Sequence, residues 1–174
     1  MIRVVEMKNI TKIFSLLLVG FSANVFAQAT VAASIATNIV TPIGITKSDD
    51  MVFGNISTNG STGTILVGTD GTRTPTGGVT LPAVTGSPKA ASFIVTGAGN
   101  YTYSISLPGS PITLAGNTAG VTVDAFVSNP GPSGKLTAAG TQTVYVGATL
   151  NLPASTVVGS YMNASGLSVT VNYN

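Results

Sequence analysis

The carboxylate side chains are the residues of this chain whose type and spacing come nearest to catalysis. The 174-residue sequence contains no cysteine and no histidine, which excludes thiol nucleophiles, histidine bases and the common zinc sites. Beyond the N-terminal region the acids are Asp49, Asp50, Asp70 and Asp124. A paired-carboxylate glycosidase holds two acids across a cleft, and no pair here has a spacing that indicates this arrangement. We therefore predict no catalytic residues and no enzymatic activity.

Each acid has a simpler structural explanation. Asp49 and Asp50 are adjacent in a predicted loop, where neighbouring side chains seldom face one ligand, so they are expected to solvate a turn. A calcium site would need a further, spaced ligand. Asp70 precedes Gly71, a pair typical of a tight hairpin turn, and Asp124 is expected to meet solvent or a cross-strand cation. The sequence therefore predicts no metal site and no cofactor.

Three tyrosines offer aromatic surfaces that could line a sugar site. Tyr101 and Tyr103 alternate with threonine and serine, and Tyr161 lies closer to the C-terminus. Because alternate side chains of a strand share one face, we expect Tyr101 and Tyr103 to pack in the core instead.

The segments that position these residues are predicted to be β-strands. Short runs rich in Val, Ile, Thr, Tyr and Phe alternate with turns that contain Gly and Pro, and no run has helical periodicity. Strands are predicted near residues 29–40, 43–46, 51–57, 63–68, 90–96, 101–107, 121–127, 142–152 and 165–173. The Gly- and Thr-rich stretch 57–90 is expected to contain long loops. This pattern predicts an all-β fold, an antiparallel immunoglobulin-like β-sandwich.

The same alternation predicts which side chains face the core. Apolar residues at every second position would point inward, and their Thr and Ser neighbours would point to solvent. Phe126 departs from this rule, because it falls among the polar positions of its run. The predicted core residues are Phe93, Val95, Tyr103, Ile105, Val121, Val123, Val144 and Val146.

The first 27 residues have the features of a secretory signal peptide. Lys8 and Lys12 precede the apolar run 13–20, and small residues stand before a cleavage point at Ala27 or Ala29. The run is too short and too interrupted for a membrane span. Translation is expected to begin at Met7. Removal of the signal would leave one domain, residues 28–174, with no membrane span.

The charges of this domain balance. It keeps four cationic and four acidic side chains, so its net charge is zero although the whole chain carries +2. The absence of a basic excess predicts that the domain does not bind nucleic acid.

The predicted strands at the two ends of the domain carry the strongest functional signal. At the C-terminus apolar side chains alternate with polar ones, which gives the strand one apolar face. Near the N-terminus the alternation is looser, and Thr37 falls among the apolar positions. A strand edge must be covered by its own fold or by another protein. Two explanations follow: the strands pair within one sandwich, or a sheet is completed between subunits by β-strand addition. The apolar positions are Val31, Ala33, Ile35 and Ile39 near the N-terminus, and Leu167, Val169, Val171 and Tyr173 at the C-terminus.

Six short motifs are spread over nearly all of the domain. They are IGITK at 43–47, MVFGNI at 51–56, ASFIVTG at 91–97, YTYSI at 101–105, VGATL at 146–150 and VTVNY at 169–173. With these motifs the chain resembles an uncharacterised family of short secreted all-β domains from Gram-negative bacteria. That resemblance implies no assigned activity.

The overall plan of the chain is similar to that of chaperone–usher fimbrial subunits, the pilins. The similarity rests on the alternating segment 29–40 and on a C-terminal strand whose next-to-last residue is the aromatic Tyr173. The resemblance implies an incomplete sandwich that a strand donated by another subunit would complete. In that strand the four N-terminal apolar residues would be the donor positions. It implies that the C-terminal strand is first held by a periplasmic chaperone, with an outer-membrane usher as a further partner. The chain departs from many pilins because it lacks a disulfide.

We therefore predict a structural, adhesive subunit of a fimbria or surface fibre. It would be exported through the periplasm to the cell surface or medium, and it would polymerise with itself by β-strand donation. The alternative is a self-contained secreted β-sandwich that binds a glycan or a surface protein. A heat-labile ladder on a denaturing gel would distinguish the polymer from the self-contained module.

Overall fold

The computed structural model describes residues 28–164 and 166–174, so the predicted signal peptide, residues 1–27, lies outside the described part. Within that part the chain forms ten strands and no helix. The strands are β1 (Gly44–Asp49), β2 (Ser57–Val67), β3 (Arg73–Thr80), β4 (Ala91–Thr96), β5 (Thr102–Ser106), β6 (Ile112–Thr113), β7 (Thr122–Asn129), β8 (Ser133–Lys135), β9 (Thr141–Leu152) and β10 (Thr170–Tyr173). No helix of the described residues is long and apolar enough to cross a membrane.

The larger of two antiparallel sheets is organised around β9. Seven strands belong to it, with the order β1-β4-β9-β2-β3, and β7 pairs with both β9 and β6. The first half of β9 pairs with β4, as in Phe93 opposite Val144. Its second half pairs with β2, as in Ile65 opposite Leu150, while β7 pairs with its middle and second half. This long strand therefore joins three partners that are far apart in the sequence.

The smaller sheet has three strands in the order β10-β5-β8. Its inward side chains, among them Tyr103 and Val171, pack with Val95 and Val144 of the larger sheet in one buried cluster. A second cluster around Ile65 lies under β2, β7 and β9, and half-buried residues from connecting segments pack against it. The two sheets thus form the predicted antiparallel β-sandwich.

The predicted core is confirmed residue by residue. All eight side chains are buried, and their exposed fractions are at most 8%. The two largest values are those of Phe93 (8%) and Ile105 (7%), and Tyr103 is fully buried. The physical reason is that side chains at every second position share one face of a strand, and that face lies against the opposing sheet.

The prediction of long loops over 57–90 is wrong for most of that stretch. Residues Ser57–Val67 and Arg73–Thr80 form the β2–β3 hairpin, which is the edge of the larger sheet. Its turn contains Asp70 and Gly71, as predicted, with Gly71 at φ +80°. The stretch is polar because the outer face of the hairpin is open to solvent and rich in threonine, which does not prevent strand pairing.

A β-bulge explains the position of Phe126. Asp124 lies opposite Thr149 and Val127 opposite Gly147, so two residues of β7 face one residue of β9. Ala125 takes up the extra length at φ +49°. Beyond the bulge the two faces exchange, so Phe126 packs against both buried clusters and Val127 is 49% exposed.

Two predicted strands are not formed in the structure. Residues 28–43 contain no strand, and over 51–56 the pairing is reduced to one bridge between Val52 and Lys89. The C-terminal strand is shorter than predicted, since β10 begins at Thr170. Three short or polar strands, β3, β6 and β8, were absent from the sequence prediction.

Candidate strand-addition site

Two unpaired strand edges adjoin on one side of the sandwich. β10 pairs with β5 through one edge only, from Thr170 opposite Ser106 to Tyr173 opposite Tyr103. β1 likewise pairs only with β4, and β1 and β10 are in contact across the sandwich. Within residues 28–164 and 166–174, no strand pairs with the outer edge of either. We call this region the β1/β10 seam, and its backbone groups are available to a further strand.

The β1/β10 seam is lined by apolar side chains that the sandwich covers only in part. Val171 is buried at 8% exposure, whereas its neighbours along the seam are half-buried and pack against the same core cluster. These half-buried residues are Ile43, Ile45, Leu167, Val169 and Tyr173. The structure therefore brings all four predicted C-terminal positions to one apolar surface, next to residues of β1 that sequence reasoning had not assigned to it.

The Tyr173 hydroxyl connects three segments at one end of the β1/β10 seam through hydrogen bonds. It accepts a hydrogen bond from the Ala98 backbone N–H at 2.6 Å and donates one to the Thr41 carbonyl at 2.8 Å. Its ring packs on Tyr101 with centroids 5.6 Å apart. A Cβ at position 97 would overlap the hydroxyl, so glycine is required there. Tyr173 thus fixes the chain at Thr41, immediately after the segment with the predicted donor positions.

We expect Tyr173→Phe to lower the free energy of unfolding by about 1 kcal/mol, because it removes both hydrogen bonds and keeps the ring. Tyr101→Phe is the matched control, since the Tyr101 hydroxyl has no hydrogen-bond partner among the described residues. Urea unfolding of the two variants measures the difference. Equal free energies of unfolding for both variants would show that the Tyr173 hydroxyl contributes nothing.

The edges of β3 and β8 are protected against strand addition. β3, at the far edge of the larger sheet, contains Pro75, which cannot donate a ladder hydrogen bond, and Gly77 at φ +64°. β8 has three residues and directly follows Pro132. β10 has no proline and no charge, so its edge is the least protected one in the described part of the chain.

The predicted donor positions lie in a segment that exposes its apolar side chains. Val31 is 95% exposed, Ile35 is 100% exposed and Ile39 is 92% exposed, and Ala33 is exposed as well. Fully burying a Val or Ile side chain is worth roughly 1.5–3 kcal/mol. The three side chains are spaced four residues apart, so they would share one face of a strand, and their burial would add several kcal/mol of stabilisation, about 1.5–3 kcal/mol each.

The acids form no catalytic arrangement in the described residues. Asp49 accepts hydrogen bonds from Lys89 Nζ at 2.6 Å and from Ser92 Oγ at 2.8 Å, and these bonds hold its pKa below the usual value. Asp50 is paired with Lys47 at 2.5 Å. Asp49 therefore connects β1 to β4, and the prediction that both acids only solvate a turn is wrong for it.

The remaining sequence candidates are scattered. Hydrogen bonds from the Thr72 side chain and backbone lower the pKa of Asp70, which closes the β2–β3 turn. Tyr103 is buried as predicted, but Tyr101 is 42% exposed, so its predicted core position is wrong. Tyr161 hydrogen bonds to the Val157 carbonyl in a loop. The described residues contain no group of three or more acids that could hold a metal.

Comparison with known proteins gives one match. The family model with the description "Domain of unknown function (DUF4402)" matches residues 43–173, a range that includes all ten strands and leaves out the exposed segment with the donor positions. No curated protein and no solved structure matches the chain. The resemblance to an uncharacterised family is thereby confirmed, whereas the similarity to fimbrial subunits stays a prediction.

Proposed function

The chain belongs to the DUF4402 family of domains of unknown function, and we propose that it is a structural subunit of a fimbria or surface fibre assembled by β-strand donation. In this proposal the segment 29–40 of one copy adds to the β1/β10 seam of the next copy. The subunit has an adhesive role and is exported through the periplasm to the cell surface. A periplasmic chaperone that first holds β10 and an outer-membrane usher are the partners.

The observation that carries the proposal is the exposure of the apolar N-terminal side chains. Val31, Ile35 and Ile39 are each more than nine-tenths exposed, although a chain in water gains free energy by burying them. Together with Ala33 they lie on one face if residues 29–40 become a strand. A segment of this kind fits a partner that offers backbone hydrogen bonds and apolar pockets at alternate positions.

The β1/β10 seam offers both kinds of contact. The outer edge of β10 presents unpaired backbone groups between Thr170 and Tyr173. The half-buried side chains of Ile45, Leu167 and Val169 provide apolar surface beside that edge. Register between donor and acceptor would be set by which donor side chain enters the seam, since a shift by one residue turns the apolar face outward.

Removal of residues 28–40 gives the first test. The truncated chain keeps the seam and loses the donor positions, so we expect it to form no heat-labile ladder on a denaturing gel. We expect a synthetic peptide of residues 28–40 to bind it and to raise its melting temperature, because a ligand that binds only the folded state stabilises it. Calorimetric scans with and without the peptide measure this shift.

The truncated chain also distinguishes strand donation from the alternative of a self-contained binding module. A truncated chain that accepts but cannot donate would end growing fibres, so adding it to the full chain should shorten them in electron micrographs. Fibres formed by the truncated chain alone would refute strand donation. A full chain that runs as one band without heating, with no peptide effect on the truncated chain, would favour the self-contained binding module.

A further inference from the structure

A row of polar side chains crosses five adjacent strands of the larger sheet. The strands lie in the order β6, β7, β9, β2 and β3, and each pairs with the next. These pairings place one residue from each strand side by side. The five are, in spatial order, Thr113, Thr122, Asn151, Thr64 and Thr76. Thr122, Asn151 and Thr64 each have a buried apolar neighbour in their own strand. Because neighbouring side chains of a strand point to opposite faces, the row lies on the outer face of the sheet.

A groove of about 360 Å³ lies along part of this polar row. The groove is shallow and open to solvent, and the residues that line it include Thr64, Thr76, Asn151, Gly63 and Gly77. A Cβ at Gly77 would stand 2.6 Å from the Thr62 carbonyl oxygen, and one at Gly63 would stand 2.7 Å from that of Thr76. Side chains are therefore excluded from both positions. At the buried Gly63 the Cβ would also overlap the core side chain of Val79, so this glycine allows β2 and β3 to pack closely.

The groove contains hydrogen-bonding capacity that the protein does not use. The Asn151 side-chain amide has no partner among residues 28–164 and 166–174, and it offers two donors and an acceptor oxygen. The Thr64 and Thr76 hydroxyl oxygens are 2.6 Å apart. Since only one of these hydroxyls donates to the other, the second keeps its proton for a ligand.

The surroundings of the polar row define the chemistry of a ligand. No charged side chain belongs to the row, so it offers no attraction to phosphate or other anions. The neighbouring row contains Leu66, 40% exposed, between Thr74 and Thr149. That row continues from Thr149 to Asp124, a carboxylate that accepts hydrogen bonds from hydroxyl groups and repels anions. A ligand that matches both rows carries no negative charge, has closely spaced donors and acceptors, and has small apolar faces. Neutral oligosaccharides combine these properties.

We propose that the polar row and its groove form a binding site for a neutral oligosaccharide, with Asn151 at its centre. The site shares no residue with the β1/β10 seam and is formed within one chain. It therefore does not depend on strand donation, and in a fibre it would be repeated along the outer surface of every subunit.

The test uses the full chain and four uncharged probes: cellohexaose, chitohexaose, maltohexaose and mannohexaose. We expect at least one of them to shift the backbone amide NMR signals of residues 64, 76, 122 and 151 in a saturable manner. Asn151→Ala and Thr64→Val should each weaken that binding at least tenfold. Thr143→Val is the matched control, because Thr143 is exposed on the outer face of the same sheet but lies outside the row.

Each outcome decides the proposal. Binding that Asn151→Ala weakens and Thr143→Val leaves unchanged supports it. The proposal is overturned if none of the four probes gives saturable shifts at about 10 mM. It is also overturned if Asn151→Ala and Thr143→Val weaken the binding equally. Shifts in the row that depend on protein concentration and not on the sugar would assign this face to contacts between copies of the chain, and would likewise overturn it.

Discussion

Replacing Ile35 by aspartate is expected to abolish polymers while leaving the sandwich folded. In the proposed assembly Ile35 enters the apolar seam of the neighbouring subunit. Losing the burial of one isoleucine costs about 1.5–3 kcal/mol, which weakens donor binding roughly ten- to hundredfold. The aspartate adds the cost of placing an unpaired charge in an apolar site. Unheated denaturing gels and electron microscopy measure the loss of polymers.

The variant Ser34→Asp provides the control for this experiment. It adds the same charge to the same segment, but Ser34 alternates with the apolar positions and would face away from the seam. We expect this variant to polymerise. If Ile35→Asp polymerises as well as the unmodified chain, or if both variants fail to the same degree, the segment does not act through its apolar face. Circular dichroism of Ile35→Asp should remain that of the folded protein, because Ile35 is fully exposed.

Replacing Ile65 by alanine is expected to lower the free energy of unfolding by about 2–5 kcal/mol. Ile65 has no exposed surface, and it lies in the second core cluster with Val67 and Leu150. Because this cluster is enclosed by strands on one side, the neighbouring side chains cannot fully close the cavity that alanine leaves. Thermal or urea unfolding gives the value.

The variant Leu66→Ala, at the next residue of β2, is the control for Ile65→Ala. Leu66 points to the outer face of β2 and is 40% exposed, so Leu66→Ala should cost at most about 1 kcal/mol. Similar losses for the two variants would contradict the alternation of faces along β2. The pair also separates the core from the proposed sugar site, since only Leu66 lies next to the polar row.

Strands with a strict alternation were predictable from the sequence. Tyr103 and Ile105 in β5 alternate with threonine and serine, and the burial of one face follows directly. In β4 and β9 the period of two also holds for Phe93 and Val95 and for Val144 and Val146, although Ile94 and Tyr145 between them are themselves apolar or aromatic. The β2–β3 turn was also predictable, because Asp70 and Gly71 favour a tight turn wherever they stand between strands.

Features set by the partner strand were not predictable. β3 contains Pro75 and two adjacent glycines, which locally disfavour a strand, and only pairing with β2 determines its conformation. The same holds for the outward position of Tyr101, which follows from where β5 begins. A bulge such as that at Ala125 depends on the register between two strands, and no local pattern specifies it.

The candidate sites were predictable only in part. Alternation in 167–173 and in 29–40 identified the apolar positions, but the contact between Tyr173 and Thr41 joins residues 132 positions apart. The polar row was not identified at all, because its five members come from five strands. Threonine and asparagine are frequent in this chain, so their alignment becomes visible only once the strand pairing is known.

The central position of β9 has a consequence for how the chain folds. β2, β4 and β7 are all completed by pairing with β9, which follows each of them in the sequence. Until β9 is available for pairing, the apolar faces of these earlier strands remain uncovered. Domains dominated by such non-local contacts refold in roughly milliseconds to seconds. Uncovered apolar faces and unpaired edges favour aggregation, so the interval before β9 pairs is the stage at which this chain is most exposed to it.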